Sequence, residues 1–135
     1  MLKICRDNWY KHKEKLEERI KDDINKRWTY EELFKLTVDT ILEEENLNTE
    51  NITLINDGEY QGTLIFIIYD AYYQPSPWQY YMTYIYYGSC SVCDTLQRVY
   101  YDDLEEEKLK DLMYICKNFI ENMTCPWGAE EEARW

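Results

Sequence analysis

The spacing of apolar side chains turns from helical to strand-like at Ile52 and back to helical after Asp103, which constrains the fold class. Before the first change, Leu33, Phe34, Val38, Ile41 and Leu42 fall on one side of a helix, because residues three or four apart share a helical face. Thr29, with Glu32 three residues on, supplies a capping box to start it. Glu43–Glu45 crowd its end, where the helix dipole disfavours negative charge, and this predicts fraying. Between the two changes, Ile52–Asn56 is short and β-branched, and Asp57-Gly58 is a turn signal. Thr63–Tyr69 is an unbroken apolar run, the pattern of a strand buried on both faces. Pro75 and Pro77 place Ala71–Pro77 in a loop. Trp78–Tyr87 then alternates, setting Trp78, Tyr80, Met82, Tyr84 and Tyr86 against Gln79, Tyr81, Thr83, Ile85 and Tyr87. The second set is a mixed surface, suited to water or to a partner. After the second change, Leu109, Leu112, Met113, Cys116, Phe119, Ile120 and Met123 make a broad helical stripe, with Asp102 or Asp103 as its cap. The expected fold is α+β: two layers, a small three-stranded antiparallel sheet against helices, in the order ααβββα.

At 135 residues the chain fits one domain, 1–135. Residues 1–28 read as a basic helical arm, with a helix over Arg6–Trp28 and a thin seam of Trp9, Leu16, Ile20 and Ile24. Residues 124–135 read as an acidic tail beyond the last helix. The net charge of −12 is uneven: Met1–Trp28 carries +3 and the remainder −15. Such a body repels phosphates, which disfavours direct nucleic-acid binding and favours a basic protein partner. No run approaches a membrane span, and Met1–Tyr10 has no apolar core of an export signal. Five cysteines without such a signal suggest reduced thiols and a cytoplasmic setting.

The turn Gly88-Ser89-Cys90-Ser91-Val92-Cys93-Asp94 is the most unusual stretch, and three chemistries compete for it. Cys90 and Cys93 could hold zinc, with further ligands drawn from Cys5, Cys116, Cys125 and His12, which form no second Cys-x-x-Cys pair. They could act as a redox pair, although the parallel βαβ setting of such pairs is missing. Alternatively, Gly88, Ser89, Ser91 and Asp94 shape a packed turn whose amides and hydroxyls contact a small anion or a partner. Otherwise no cofactor is expected. His12 lies among Lys11, Lys13 and Lys15 and reads as a solvated residue rather than a base. With no phosphate-cradling loop and no nucleophile elbow, catalysis is not expected. Tyrosine crowds the centre of the chain, and Tyr72, Tyr73 and Tyr81 exceed what one small core can hold. Beside carboxylates such as Glu105, Glu106 and Glu107, they suit an interface for a basic partner. A second copy could also use the strand surface.

Asp57-Gly58-Glu59-Tyr60-Gln61-Gly62-Thr63-Leu64-Ile65 and Tyr87-Gly88-Ser89-Cys90-Ser91-Val92-Cys93-Asp94-Thr95-Leu96-Gln97 together resemble a group of small phage and prophage proteins. That group usually has Gly where this chain has Val92. The resemblance covers the middle third of the chain and brings no activity or functional residue with it. It implies a setting in which small acidic proteins block host defence or nucleic-acid machinery in the host cytoplasm. Sequestration of a nucleotide signal is a further reading, opposed by the few basic groups of the body unless the first helix folds back to supply them.

Overall fold

A computed structural model describes residues 1–58, 62–70, 80–88, 95–101 and 103–125. Helix α1 (Lys3–Asp22) buries Cys5, Asn8, Trp9, Leu16 and Ile20, with Leu2 buried at its N-cap. The helix stops six residues short of Trp28. The chain turns instead, and the buried Trp28 indole N–H donates to the Asp23 carbonyl at 3.2 Å. Helix α2 (Tyr30–Ile41) opens on the capping box that the sequence predicts. Glu32 N–H donates to Thr29 Oγ1 and Thr29 N–H to Glu32 Oε1, both at 3.1 Å. Leu33, Phe34, Val38, Ile41 and Leu42 are all buried.

Glu43–Glu45 do not fray: they tighten into a 3-10 turn. Lys11 and Lys15 of α1 meet Glu44 and Glu43 at 2.8 Å each, which offsets the repulsion expected at a helix C-terminus. Asn46 then takes the left-handed conformation (φ 54°) and releases the chain into the sheet.

Strands β1 (Leu47–Gly58), β2 (Gly62–Asp70) and β3 (Tyr80–Tyr87) form an antiparallel meander in the order β1-β2-β3. β1 begins five residues before the expected Ile52. Its first half hides from sequence because Asn48 pairs with Tyr69 and Thr53 with Ile67, so residues 49–52 all stand opposite Ile68. Such a bulge suspends strict alternation. Gly58 pairs with Gly62 at the hairpin end. A Cβ on Gly62 would stand 2.2 Å from the Asp57 carbonyl oxygen, so the close approach of the two strands requires glycine there.

β2 is not buried on both faces. Phe66 and Ile68 are fully buried against the helices, whereas Ile65 and Ile67 point the other way and stay partly exposed. In β3 the Tyr81, Thr83, Ile85 and Tyr87 set, read from sequence as the wet or partner-bound side, faces the helices instead. Thr83 is buried and donates from Oγ1 to the Phe119 carbonyl at 2.6 Å.

A short helix α3 (Thr95–Tyr100) precedes α4 (Glu105–Glu121). Leu104 is the N-cap of α4 and gives no side-chain cap bond, so Asp103 does not cap; Asp102 lies outside the described residues. Leu112, Cys116, Phe119, Ile120 and Met123 are buried, as is Ile115, which the sequence stripe lacked. The chain has three phenylalanines, and they meet at the centre of the core. Phe34 of α2 stacks on Phe66 of β2 at 4.6 Å, and Phe119 of α4 packs edge-on against them at 5.4 and 5.3 Å. The fold is α+β, with all described helices on one side of the sheet.

Candidate functional site

Strand pairing sets which side chains share the side of the sheet away from the helices. Thr53, Ile67 and Met82 form one row across the three strands, Ile55, Ile65 and Tyr84 the next, and Asp57, Thr63 and Tyr86 the third. Tyr69 and Tyr80 pair beyond them, with ring centroids 5.7 Å apart. None of these residues belongs to the buried core, and no described helix lies over them. Ile55 is 45% exposed and Tyr86 70% exposed. Apolar surface that stays in contact with water is unfavourable at roughly 25 cal/mol per Å² that could be buried.

Two clefts indent this region and share Tyr84, Tyr86 and Asn122. One, of about 300 Å³, lies on the sheet face over Thr63, Ile65 and Met82. The other, of about 350 Å³, lies round the β3 edge between Tyr84–Tyr86, the start of α2 and α4. The β3 edge is held by a two-way backbone bridge, Met82 N–H to Thr124 O at 2.8 Å and Thr124 N–H to Met82 O at 2.7 Å.

The sheet segment itself carries charge of one sign. No lysine, arginine or histidine occurs between Lys35 and Arg98, a stretch that contains the whole sheet. Its exposed Asp57 lies on the open face, and Glu50, in the β1 bulge, is engaged by Lys35 at 3.0 Å. Several cations of α1 and the turn after it are already matched. Besides the Lys11 and Lys15 pairs, Lys26 meets Glu32 at 2.8 Å and Lys21 meets Glu17 at 3.5 Å. Hydrogen bonds from Lys15 and Lys11 hold the Glu43 and Glu44 carboxyls below the usual range, and one from Lys26 does the same to Glu32.

Of the tyrosines expected at an interface, Tyr81 is partly buried on the helix side and packs against the core. Tyr72 and Tyr73 lie outside the described residues. Glu105, Glu106 and Glu107 are exposed in the first turn of α4, where their charge suits the helix dipole. They belong to the helix layer rather than to the open sheet face. In the motif turn, Gly88 is described and buried, and its carbonyl lies 3.5 Å from Gln97 Nε2. Ser89, Cys90, Ser91, Cys93 and Asp94 lie outside the described residues.

The further zinc ligands weighed from sequence are dispersed. Cys5, Cys116 and Cys125 are buried in the core, and burial pushes the Cys116 thiol up to about 12. His12 is not solvated: its side chain is only 16% exposed, with Nε2 3.5 Å from Glu44 Oε1. No group of three metal-ligating side chains occurs among the described residues. No described helix is long and apolar enough to cross a membrane.

The aromatic residues that sequence reasoning passed over, Tyr84 and Tyr86, had a usable signal. They share strand parity with Met82, and nothing basic lies within the whole sheet segment. No protein-family model, curated protein or solved structure matches the chain.

Proposed function

We propose that this protein is a non-catalytic binding module, an acidic accessory protein of phage type that docks on a basic host protein and inhibits it. The target class is a defence or nucleic-acid-handling protein, whose basic surface an acidic chain can occupy in place of nucleic acid. One observation carries this reading: an apolar, tyrosine-bearing sheet face that no described helix covers lies within a cation-free stretch of a chain of net charge −12. Tyrosines supply anchors of large area and low conformational-entropy loss, and the surrounding carboxylates steer a basic partner. The same charge argues against direct nucleic-acid binding and makes pairing of two copies through this face costly. A zinc- or thiol-dependent role for Cys90 and Cys93 is less favoured, since the three other cysteines are committed to the core.

The test is capture from bacterial lysate on immobilised protein, eluted in salt steps, beside a variant carrying Ile55→Ser and Ile65→Ser. The expected outcome is a basic protein that is released by moderate salt, is absent from the variant, and loses its own activity when bound. Equal capture by the variant, or binding indifferent to salt, rejects the reading. A dimer in sedimentation that the variant abolishes assigns the face to a second copy instead.

A further inference from the structure

The cleft round the β3 edge has a composition unlike the rest of the surface. Tyr30 at the start of α2, Tyr84 and Tyr86 of β3, and Tyr114 of α4 line it, together with Thr95, Asn118 and Asn122. Its volume of about 350 Å³ lies at the lower end of ligand-sized pockets. Tyr84, Tyr86 and Tyr114 are among the few large apolar side chains the fold leaves exposed, yet all three converge here. None of the described residues that line the cleft is charged.

Those features select a ligand. A tyrosine ring presents a negative face, and rings on opposite walls of a cleft attract a cation held within about 6 Å of their centroids. No cation among the described lining residues repels such a guest, and the chain as a whole is acidic. A phosphate would find no cation among these residues to neutralise it. Hydrogen-bond acceptors are also present. Asn122 donates from Nδ2 to the Tyr84 carbonyl at 3.1 Å, which leaves its Oδ1 to accept. The Asn118 carboxamide and the Thr95 hydroxyl add two more acceptors. A guanidinium is the group that uses all of this together: it is planar, stacks on aromatic faces and carries five N–H donors in its own plane.

We propose that this cleft receives an arginine side chain of the partner, an inference that rests on the protein-binding reading above. Because Tyr84 and Tyr86 also wall the cleft on the open sheet face, the arginine enters beside the surface that the partner covers. The tyrosine cage then supplies the anchor, and the sheet face the surrounding area.

The test needs no partner protein. N-acetyl-arginine methylamide is titrated into the purified, isotope-labelled chain, with the neutral citrulline isostere and the lysine analogue as comparators. The expected result is saturable chemical-shift change at Tyr84, Tyr86, Tyr114 and Asn118, with citrulline and lysine each weaker by about tenfold. Tyr114→Leu and Asn118→Leu should each weaken arginine binding while spectral dispersion stays unchanged. Citrulline binding as tightly as arginine, adenosine occupying the cleft in its place, or no shift at these residues overturns the proposal. A cleft that takes arginine while a variant confined to the sheet face, Ile55→Ser/Ile65→Ser, still captures its partner sinks the sheet-face reading alone. Loss of capture in that variant without arginine binding sinks the cage alone.

Discussion

Single residues hold the junctions of this fold, and their substitutions should separate cleanly. Gly62→Ala drives a methyl group against the Asp57 backbone, and neither strand can yield without losing its pairing. The expected loss is about 1–3 kcal/mol by denaturant titration, the range of steric overpacking. Phe66→Ala removes the ring that touches both Phe34 and Phe119, for an expected loss of about 3–5 kcal/mol. A loss under 1 kcal/mol in ~pH 7 buffer would mean that the three rings are not the core centre. Cysteine reactivity gives a third check. Cys5, Cys116 and Cys125 are buried, and desolvation keeps Cys116 neutral well past the ordinary thiol value of 9.0. Thiol reagent added to native protein should therefore modify no more than Cys90 and Cys93 quickly. Fast reaction at Cys116 would contradict its burial. Because its folded value is raised, the stability tied to this thiol is intact below about 9 and lost as pH climbs toward 12.

Among the elements, the join between α1 and the 3-10 turn is the one tied by charge. Glu43 and Glu44 titrate below the usual 4.5 because Lys15 and Lys11 hydrogen-bond their charged forms. A depressed carboxyl value stabilises the folded chain above the unfolded value, and that contribution fades as pH falls through the folded one. Both carboxylates are exposed, so the contribution is small and screened by salt. Replacing Glu43 and Glu44 with Gln should flatten the acid limb of the stability–pH curve below about pH 4.5. An unchanged limb would mean that these pairs do not form in solution.

The sequence was most informative at this same scale. The capping box of α2, the α4 stripe and the meander order follow from residue spacing, because period and capping are local properties. The first half of β1 was hidden by its bulge. The covered side of β3 was hidden because alternation yields two sets of side chains without saying which one α4 will meet. Phe119 settles that choice by accepting the Thr83 hydroxyl, a contact between residues 36 apart in the chain. Fraying at Glu43–Glu45 was expected because the cations that hold them lie on another helix.

For the whole molecule, charge and shape point the same way. Three of the seven lysines and arginines of α1 that a nucleotide signal would need, Lys11, Lys15 and Lys21, are engaged by Glu44, Glu43 and Glu17. The sheet meanwhile has an apolar side that no described helix covers, in a segment with no cation at all. The acidic excess and tyrosine richness of the candidate site were readable as composition. Its location was not, since Tyr84 and Tyr86 become a surface only when Ile65, Ile67 and Ile55 are paired beside them. The Tyr87–Gln97 motif holds Cys90 and Cys93, which lie outside the described residues.

The open sheet face is tested most directly by footprinting it with the captured partner present and absent. Oxidative labelling of the isolated protein should modify Met82, Tyr84 and Tyr86. Adding the partner should protect those three and leave exposed Tyr10 of α1 labelled as before. Protection confined to α1 or to Glu105–Glu107, with Met82 and Tyr84 still labelled, would place the interface on the helix layer and refute the sheet-face assignment.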